Sequence, residues 1–305
     1  MMIYGIDIGG TKIEISVFDS ELNKQDNWRV NTPTQDYQKL LETVADLIGT
    51  ADERYNGPGK VGLGMVGIRD KNNLSVSSNI PAANGKDIAA DLGLLIDRKI
   101  TIENDCRCFA LSEATGGAAA NYSSMYGAII GTGAAGGFVL NGDLLIDAQG
   151  IAGEYGHIQL PAFLQQKYDL KLRACGCGLP SCYESYISGP GLIFLHAHFG
   201  GHCNEVPELI KAWRKNDEIA TITMSCYFDL LGACFANLIL SYDPEVLVVG
   251  GGISLIDEVI EQLPRNINKH LFKGVTSPPV IRAKFGDASG ARGAAILALK
   301  QNLNS

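Results

Sequence analysis

The chain has 305 residues, 46% hydrophobic and 19% charged, which suits two globular domains and excludes a disordered chain. Its formal net charge is −8 with no long run of Lys or Arg, so neither nucleic acid nor an anionic membrane is expected as a partner. The opening Met1-Met2-Ile3-Tyr4-Gly5-Ile6-Asp7 shows no secretion leader, and no uninterrupted apolar run approaches the ~20 residues of a membrane helix, so a cytoplasmic location is expected.

Tyr4 to Ile8 predicts a strand, Gly9-Gly10-Thr11-Lys12 a glycine turn, and the alternating Ile13 to Phe18 a second strand. Tyr37, Leu40, Leu41, Val44 and Ile48 have helical spacing across Asp36 to Ile48. Val61 to Val66 and Ile100 to Ile102 read as short strands, and a helix is expected from Asp105 to about Gly116. A second strand, glycine turn and strand follow at Tyr126 to Ile130, Gly131-Thr132-Gly133 and Gly137 to Leu140. Tyr4 to Tyr126 and Leu22 to Leu144 share one offset of 122 residues, so the two hairpins point to duplicated halves. Thr221 to Tyr242 reads as a long buried helix, Val246 to Val249 as a buried strand entering Gly250-Gly251-Gly252, and about Gly290 to Gln301 as a last helix. This is mixed α/β.

Glycine after an apolar strand lets backbone N–H groups converge on phosphate with no Cβ in the way. Gly5 to Lys12 nearly matches a P-loop, but Thr11-Lys12 reverses the required order and a strand follows where a P-loop opens a helix. Gly131-x-Gly133-x-x-Gly136 matches the dinucleotide fingerprint literally, yet again a strand follows. Both motifs are therefore rejected. Asp7 is a carboxylate inside an apolar strand, and its counterpart in the second hairpin is Ile129. Facing a triphosphate, its natural partner is hydrated Mg²⁺; the alternative is a solvated edge residue.

Eight cysteines in a cytosolic chain are not expected to form disulfides. Cys175, Cys177 and Cys182 lie within eight residues and follow His157, which gives a closed three-thiolate, one-imidazole zinc set with no position left for water. The expected role is structural. A rival set, His196, His198, His202 and Cys203, is interrupted by Gly200-Gly201, so surface or interface histidines are the better reading there.

Asp7-Ile8-Gly9-Gly10-Thr11-Lys12, Asn104-Asp105, Gly131-Thr132-Gly133, Glu154-x-x-His157, the cysteine cluster and Gly250-Gly251-Gly252-Ile253-Ser254 occur in one order over nearly the whole chain. In this the sequence resembles the ROK sugar kinases. The resemblance implies an α/β, two-domain, actin/hexokinase-like (ribonuclease H-like) fold with an active-site cleft between the domains. The expected domains are 1–117 plus about 290–305, and 118–289 with the zinc site.

By the same resemblance, Asp7, Gly9, Gly10, Thr11, Lys12, Gly131, Thr132 and Gly133 bind the phosphates of ATP with Mg²⁺, and Gly251 and Gly252 flank its adenosine. Ala135 stands where another glycine is usual, and Ser181 where a glycine usually precedes the last cysteine. Asp105 at a strand end could simply cap a helix; the resemblance makes it the general base for the sugar 6-hydroxyl. Asn104, Glu154, His157 and Glu184, with Asn79, are implied sugar ligands. Members acting on N-acetylglucosamine are the nearest resemblance, with glucose, fructose or N-acetylmannosamine as alternatives. The family also includes sugar-responsive repressors, and a non-catalytic sugar sensor is the alternative of another class. Family members form homodimers, and one is expected here.

Overall fold

Two runs of strand residues separated by glycine turns build two sheets of the same design. A computed structural model describes residues 1–146 and 148–300. In chain order it contains β1 (Ile3–Ile8), β2 (Lys12–Phe18), β3 (Lys24–Asn31), α1 (Tyr37–Tyr55) and β4 (Lys60–Met65). The short strands β5 (Ile68–Arg69) and β6 (Ser75–Val76) precede α2 (Ile88–Ile96), β7 (Ile100–Asn104) and α3 (Asp105–Ala114). Then come β8 (Ser124–Ile130), β9 (Ala134–Leu140), β10 (Asp143–Leu144), α4 (Ala162–Lys167), α5 (Glu184–Ile187), α6 (Gly189–His198) and α7 (Val206–Trp213). The last elements are α8 (Glu218–Tyr242), β11 (Val246–Gly250), α9 (Asp257–Ile267), β12 (Val280–Arg282) and α10 (Ser289–Lys300).

The chain divides into two compact units. The first comprises Met1–Ala120, Gly142–Gly153 and Phe285–Ser305; the second, Asn121–Asn141 and Glu154–Lys284. Residues 301–305, which include the expected helix end Gln301, lie outside the described residues. The sequence reading placed 142–153 in the second domain, whereas this segment groups with the first unit. Its physical anchor is Arg107 in α3, whose guanidinium donates to the carbonyls of Leu145 and Ala152.

In the first unit the strands line up as β3-β2-β1-β4-β7, with β1 antiparallel to β2 and parallel to β4. The apolar stripe of α1 (Leu40, Leu41, Val44, Leu47 and Ile48) closes the core with Ile6, Ile8, Ile13 and Ile15. Asp36 caps that helix by accepting from the Lys39 N–H. The other face is covered by α10 at backbone range. A Cβ on Gly5 would stand 1.8 Å from the Ala291 carbonyl oxygen, and one on Gly62 1.9 Å from that of Ala294. Only glycine permits that approach.

The second unit repeats the design. β8 runs antiparallel to β9 and parallel to β11, which is parallel to β12. Tyr4 pairs with Val17 and Val61; 122 residues on, Tyr126 pairs with Phe138 in β9 and with Leu247, so the second hairpin repeats the first with a turn one residue shorter. The duplicated halves expected from the hairpins are therefore seen in strand order and direction, with the offset shortened by one residue at the second turn. The fold is the actin/hexokinase-like one.

Helix α8, of 25 residues, is long and apolar enough to cross a membrane by length and composition, although Asp229 interrupts its apolar run; 78% of its most apolar stretch is buried inside the unit. It is the core helix against which Tyr155, Tyr183 and Leu192 pack.

Candidate active site and metal centre

Strand β7 ends at Asn104 and α3 begins at Asp105. The cap of α3 is Asn104, whose Oδ1 accepts the N–H groups of Cys106 at 2.8 Å and Arg107 at 3.1 Å. Its Nδ2 donates to the Gly67 carbonyl at 2.8 Å. Capping thus falls to Asn104 and leaves Asp105 free for chemistry. Asp105 keeps some solvent contact, and its Oδ1 accepts the Cys106 N–H at 2.9 Å. Burial of the carboxyl raises its pKa above the ordinary aspartate value, against the hydrogen bonds from Cys106. A carboxylate raised in this way is a stronger proton acceptor than an ordinary aspartate.

In the same unit Asp7 is partly buried on β1, and the backbone of Gly290 lies so near that a Cβ there would come 2.6 Å from Asp7 Oδ2. The turn that follows is closed by Gly9 N–H to the Lys12 carbonyl at 3.0 Å and by the Thr32 hydroxyl to the Gly9 carbonyl at 2.7 Å. Thr11 and Lys12 are exposed. Asn79 rests against this turn, its Cβ 3.0 Å from where a Gly10 Cβ would be, and its Oδ1 accepts from the Ser78 hydroxyl.

In the second unit, Gly131 N–H donates to the Gly133 carbonyl at 2.9 Å, and Gly189 N–H to the Gly131 carbonyl at 2.8 Å. This turn forms one end of a cavity of about 1000 Å³. Thr132, Ile193, Val206, Ile210, Gly252 and Ile256 are among its mostly apolar walls, which suit a flat heterocycle. Gly251 has φ +80°, and a Cβ on it would meet the Ile130 carbonyl oxygen at 2.5 Å. Ala135 lies beyond the turn, paired with Ile129 in the β8–β9 ladder.

The ligand atoms of His157, Cys175, Cys177 and Cys182 all lie within 4.8 Å of one another. Cys177 and Cys182 sulfurs are 3.5 Å apart, and Cys175 Sγ is 3.5 Å from His157 Nδ1. Tetrahedral zinc with Zn–S near 2.3 Å separates its sulfurs by about 3.8 Å, so the donor set fits. Burial pushes the Cys182 thiol up to about 12 and the Cys175 thiol up as well, so a cation is what would hold both as thiolates. Ser181 adopts the left-handed φ of +55° that a glycine would take freely.

The other ring nitrogen, His157 Nε2, is 3.5 Å from Glu154 Oε2. Glu184, first residue of α5, accepts the Ala134 N–H through Oε2 at 3.0 Å and has Oε1 3.9 Å from Cys175 Sγ. Glu154, His157 and Glu184 are therefore gathered around one centre. The family model described as the ROK family matches residues 3–301. The chain belongs to the ROK family.

Over 296 residues, this ROK chain is 44% identical to an N-acetylgalactosamine kinase of Shewanella sp. (strain ANA-3), covering 97% of the chain and 96% of the relative. It is 41% identical over 301 residues to an N-acetyl-D-glucosamine kinase of Salmonella heidelberg (strain SL476), covering 98% and 99%. Among solved structures, a ROK hexokinase from Thermus thermophilus matches with a TM-score of 0.87 at 30% identity, covering 100% of each chain.

The rival histidine set of this ROK chain is dispersed among structural tasks. His196 is buried and shares a hydrogen bond with Thr223 at 3.1 Å, while His198 Nε2 is 3.0 Å from the Tyr168 carbonyl. The reading of surface or interface histidines is corrected for His196. α6 ends at His198, before Gly200 and Gly201. Two residues escaped the sequence reading. Glu113 is fully buried and accepts from the Ser289 hydroxyl and the N–H groups of Phe285 and Ala118, fixing the start of α10. Arg107 is only 4% exposed. Charged residues amid Cys108, Phe109 and Leu111 were the available signal.

Proposed function

We propose that the protein transfers the γ-phosphoryl group of ATP to the 6-hydroxyl of N-acetyl-D-glucosamine, in the cytoplasm and as a homodimer. The observation that carries this reading is Asp105, a carboxylate of raised pKa at the start of a helix capped by its neighbour. Asp105 takes the proton of the 6-hydroxyl as the O6–Pγ bond forms and the bond from Pγ to ADP breaks. Glu154, His157, Glu184, Asn79 and Asn104 bind the sugar. Asn104 contributes chiefly by positioning, since its amide is already engaged at both ends.

The turns at Gly9–Lys12 and Gly131–Gly133 bind the phosphates, and the apolar cavity beside Gly251 and Gly252 receives the adenine. Asp7 would hold hydrated Mg²⁺, which when bound neutralises charge on the phosphates. Zinc would be held by His157, Cys175, Cys177 and Cys182, with a structural role that orients His157 and Glu184.

A second reading, phosphorylation of N-acetylgalactosamine, is favoured by the 44% identity to a kinase of that name. Measuring kcat/KM for N-acetylglucosamine, N-acetylgalactosamine and glucose tests both. The proposal expects the highest value for N-acetylglucosamine. Preference for N-acetylgalactosamine would select the second reading, and preference for glucose would overturn both.

A further inference from the structure

We propose that Arg107 is a positioning residue for sugar binding, acting through the strap between Gly142 and Gly153. The inference rests on the reading of Glu154 as a sugar ligand. A guanidinium with 4% exposure is costly unless its donors are used. Here Nη2 donates to the Leu145 carbonyl at 2.9 Å and Nη1 to the Ala152 carbonyl at 3.2 Å, while Glu103 Oε1, 3.0 Å from Nε, balances the charge without hydrogen-bond geometry. One planar fork thus holds both sides of the strap, a task to which an ammonium is poorly matched.

Among the described residues of the strap, burial contributes little: Leu145, Ile146 and Ile151 are 38%, 93% and 57% exposed, and Leu144 is half-buried. Polar and backbone contacts take over. Lys300 Nζ pairs with Asp143 at 2.6 Å, and the backbone of Gly150, at φ +69°, lies against Arg69 so closely that a Cβ would be 2.0 Å from its carbonyl oxygen.

Both ends of the Arg107 contact matter for the site. Its own N–H is bound by the cap Asn104, which places it on the helix turn that begins with Asp105. Ala152 is followed by Gly153, at φ +106°, and then by Glu154. The guanidinium therefore references the chain leading into Glu154 to the helix carrying Asp105.

The test uses Arg107→Lys and Arg107→Gln in the full-length protein. Backbone hydrogen exchange across the strap should accelerate about tenfold or more, because charge-assisted bonds to two carbonyls are lost. KM for the sugar should rise about tenfold, with kcat within about threefold and KM for ATP unchanged; the lysine variant should be the milder in thermal stability only. Folded variants with strap exchange and sugar KM within about twofold of wild type would overturn the inference. A fall in kcat with both KM values unchanged would also overturn it, since that reports fewer folded molecules. If wild type phosphorylates no hexose, the proposed function fails instead; the exchange rates then decide by themselves whether Arg107 holds the strap, and unchanged exchange again overturns the inference.

Discussion

Glu184 Oε2 accepts the N–H of Ala134 at 3.0 Å, and so ties the start of α5 to the turn that ends at Gly133. The same carboxylate reaches Cys175 Sγ at 3.9 Å through its other oxygen. One side chain therefore links the thiol cluster to a glycine turn. Cys177→Ser is expected to lose bound zinc and sugar affinity together, measured as metal content and as sugar Kd. Full sugar affinity in the metal-free variant would separate the two.

Asp105→Asn should fold and bind sugar but lose at least about 10²–10⁴ in kcat, the usual contribution of a positioned base. Steady-state kinetics with sugar held above KM make the comparison. Retained turnover would remove Asp105 from the mechanism.

The raised pKa of Asp105 also predicts a pH dependence. Between the ordinary aspartate value of about 3.9 and the raised folded value, the folded state binds more protons than the unfolded one, so stability falls as pH rises through that window. Above the raised folded value wild type carries the full penalty of a desolvated carboxylate. Asp105→Asn should therefore melt higher than wild type at pH 7, and the gap should close as pH falls toward about 4. A variant that melts lower at pH 7 would contradict this.

Asn104→Ala removes a cap that serves two N–H groups and leaves the Gly67 carbonyl without that donor. A loss of about 1–2 kcal/mol in chemical denaturation is expected. Unchanged stability with a raised sugar KM would assign the amide to the sugar alone.

Gly251→Ala places a methyl group 2.5 Å from the Ile130 carbonyl oxygen at a φ of +80°. The backbone must shift at a cost of about 1–3 kcal/mol. KM for ATP should rise, with metal content unaffected; an unchanged KM would place adenosine elsewhere.

Much of the fold was legible because its signals are local. Strand alternation at Ile13 to Phe18 and glycine turns after β1 and β8 need only a few adjacent residues to be recognised, and the repeated hairpin survives as strand order, one residue shorter at its second turn. The convergence of His157 with Cys175, Cys177 and Cys182 was legible because three of these four residues are near neighbours in sequence. What escaped depends on distant partners. Neither Arg107 nor Glu113 shows in sequence which carbonyl or hydroxyl it will meet, and the excursion of 142–153 into the first unit follows from such contacts. The division of labour between Asn104 and Asp105 turned on a one-residue helix boundary, which spacing alone does not fix.

The seating of α10 has a consequence for synthesis. Gly5 and Gly62 meet the Ala291 and Ala294 carbonyls, and a Cβ on Gly293 would fall 1.8 Å from the Cys108 carbonyl oxygen. During synthesis β1 must wait for α10, made more than 250 residues later, before one of its faces is covered, while the second unit, built from a shorter span of the chain, can close earlier. Until α10 is made, the first sheet has only its α1 face covered, and the glycine-lined face stays open to water.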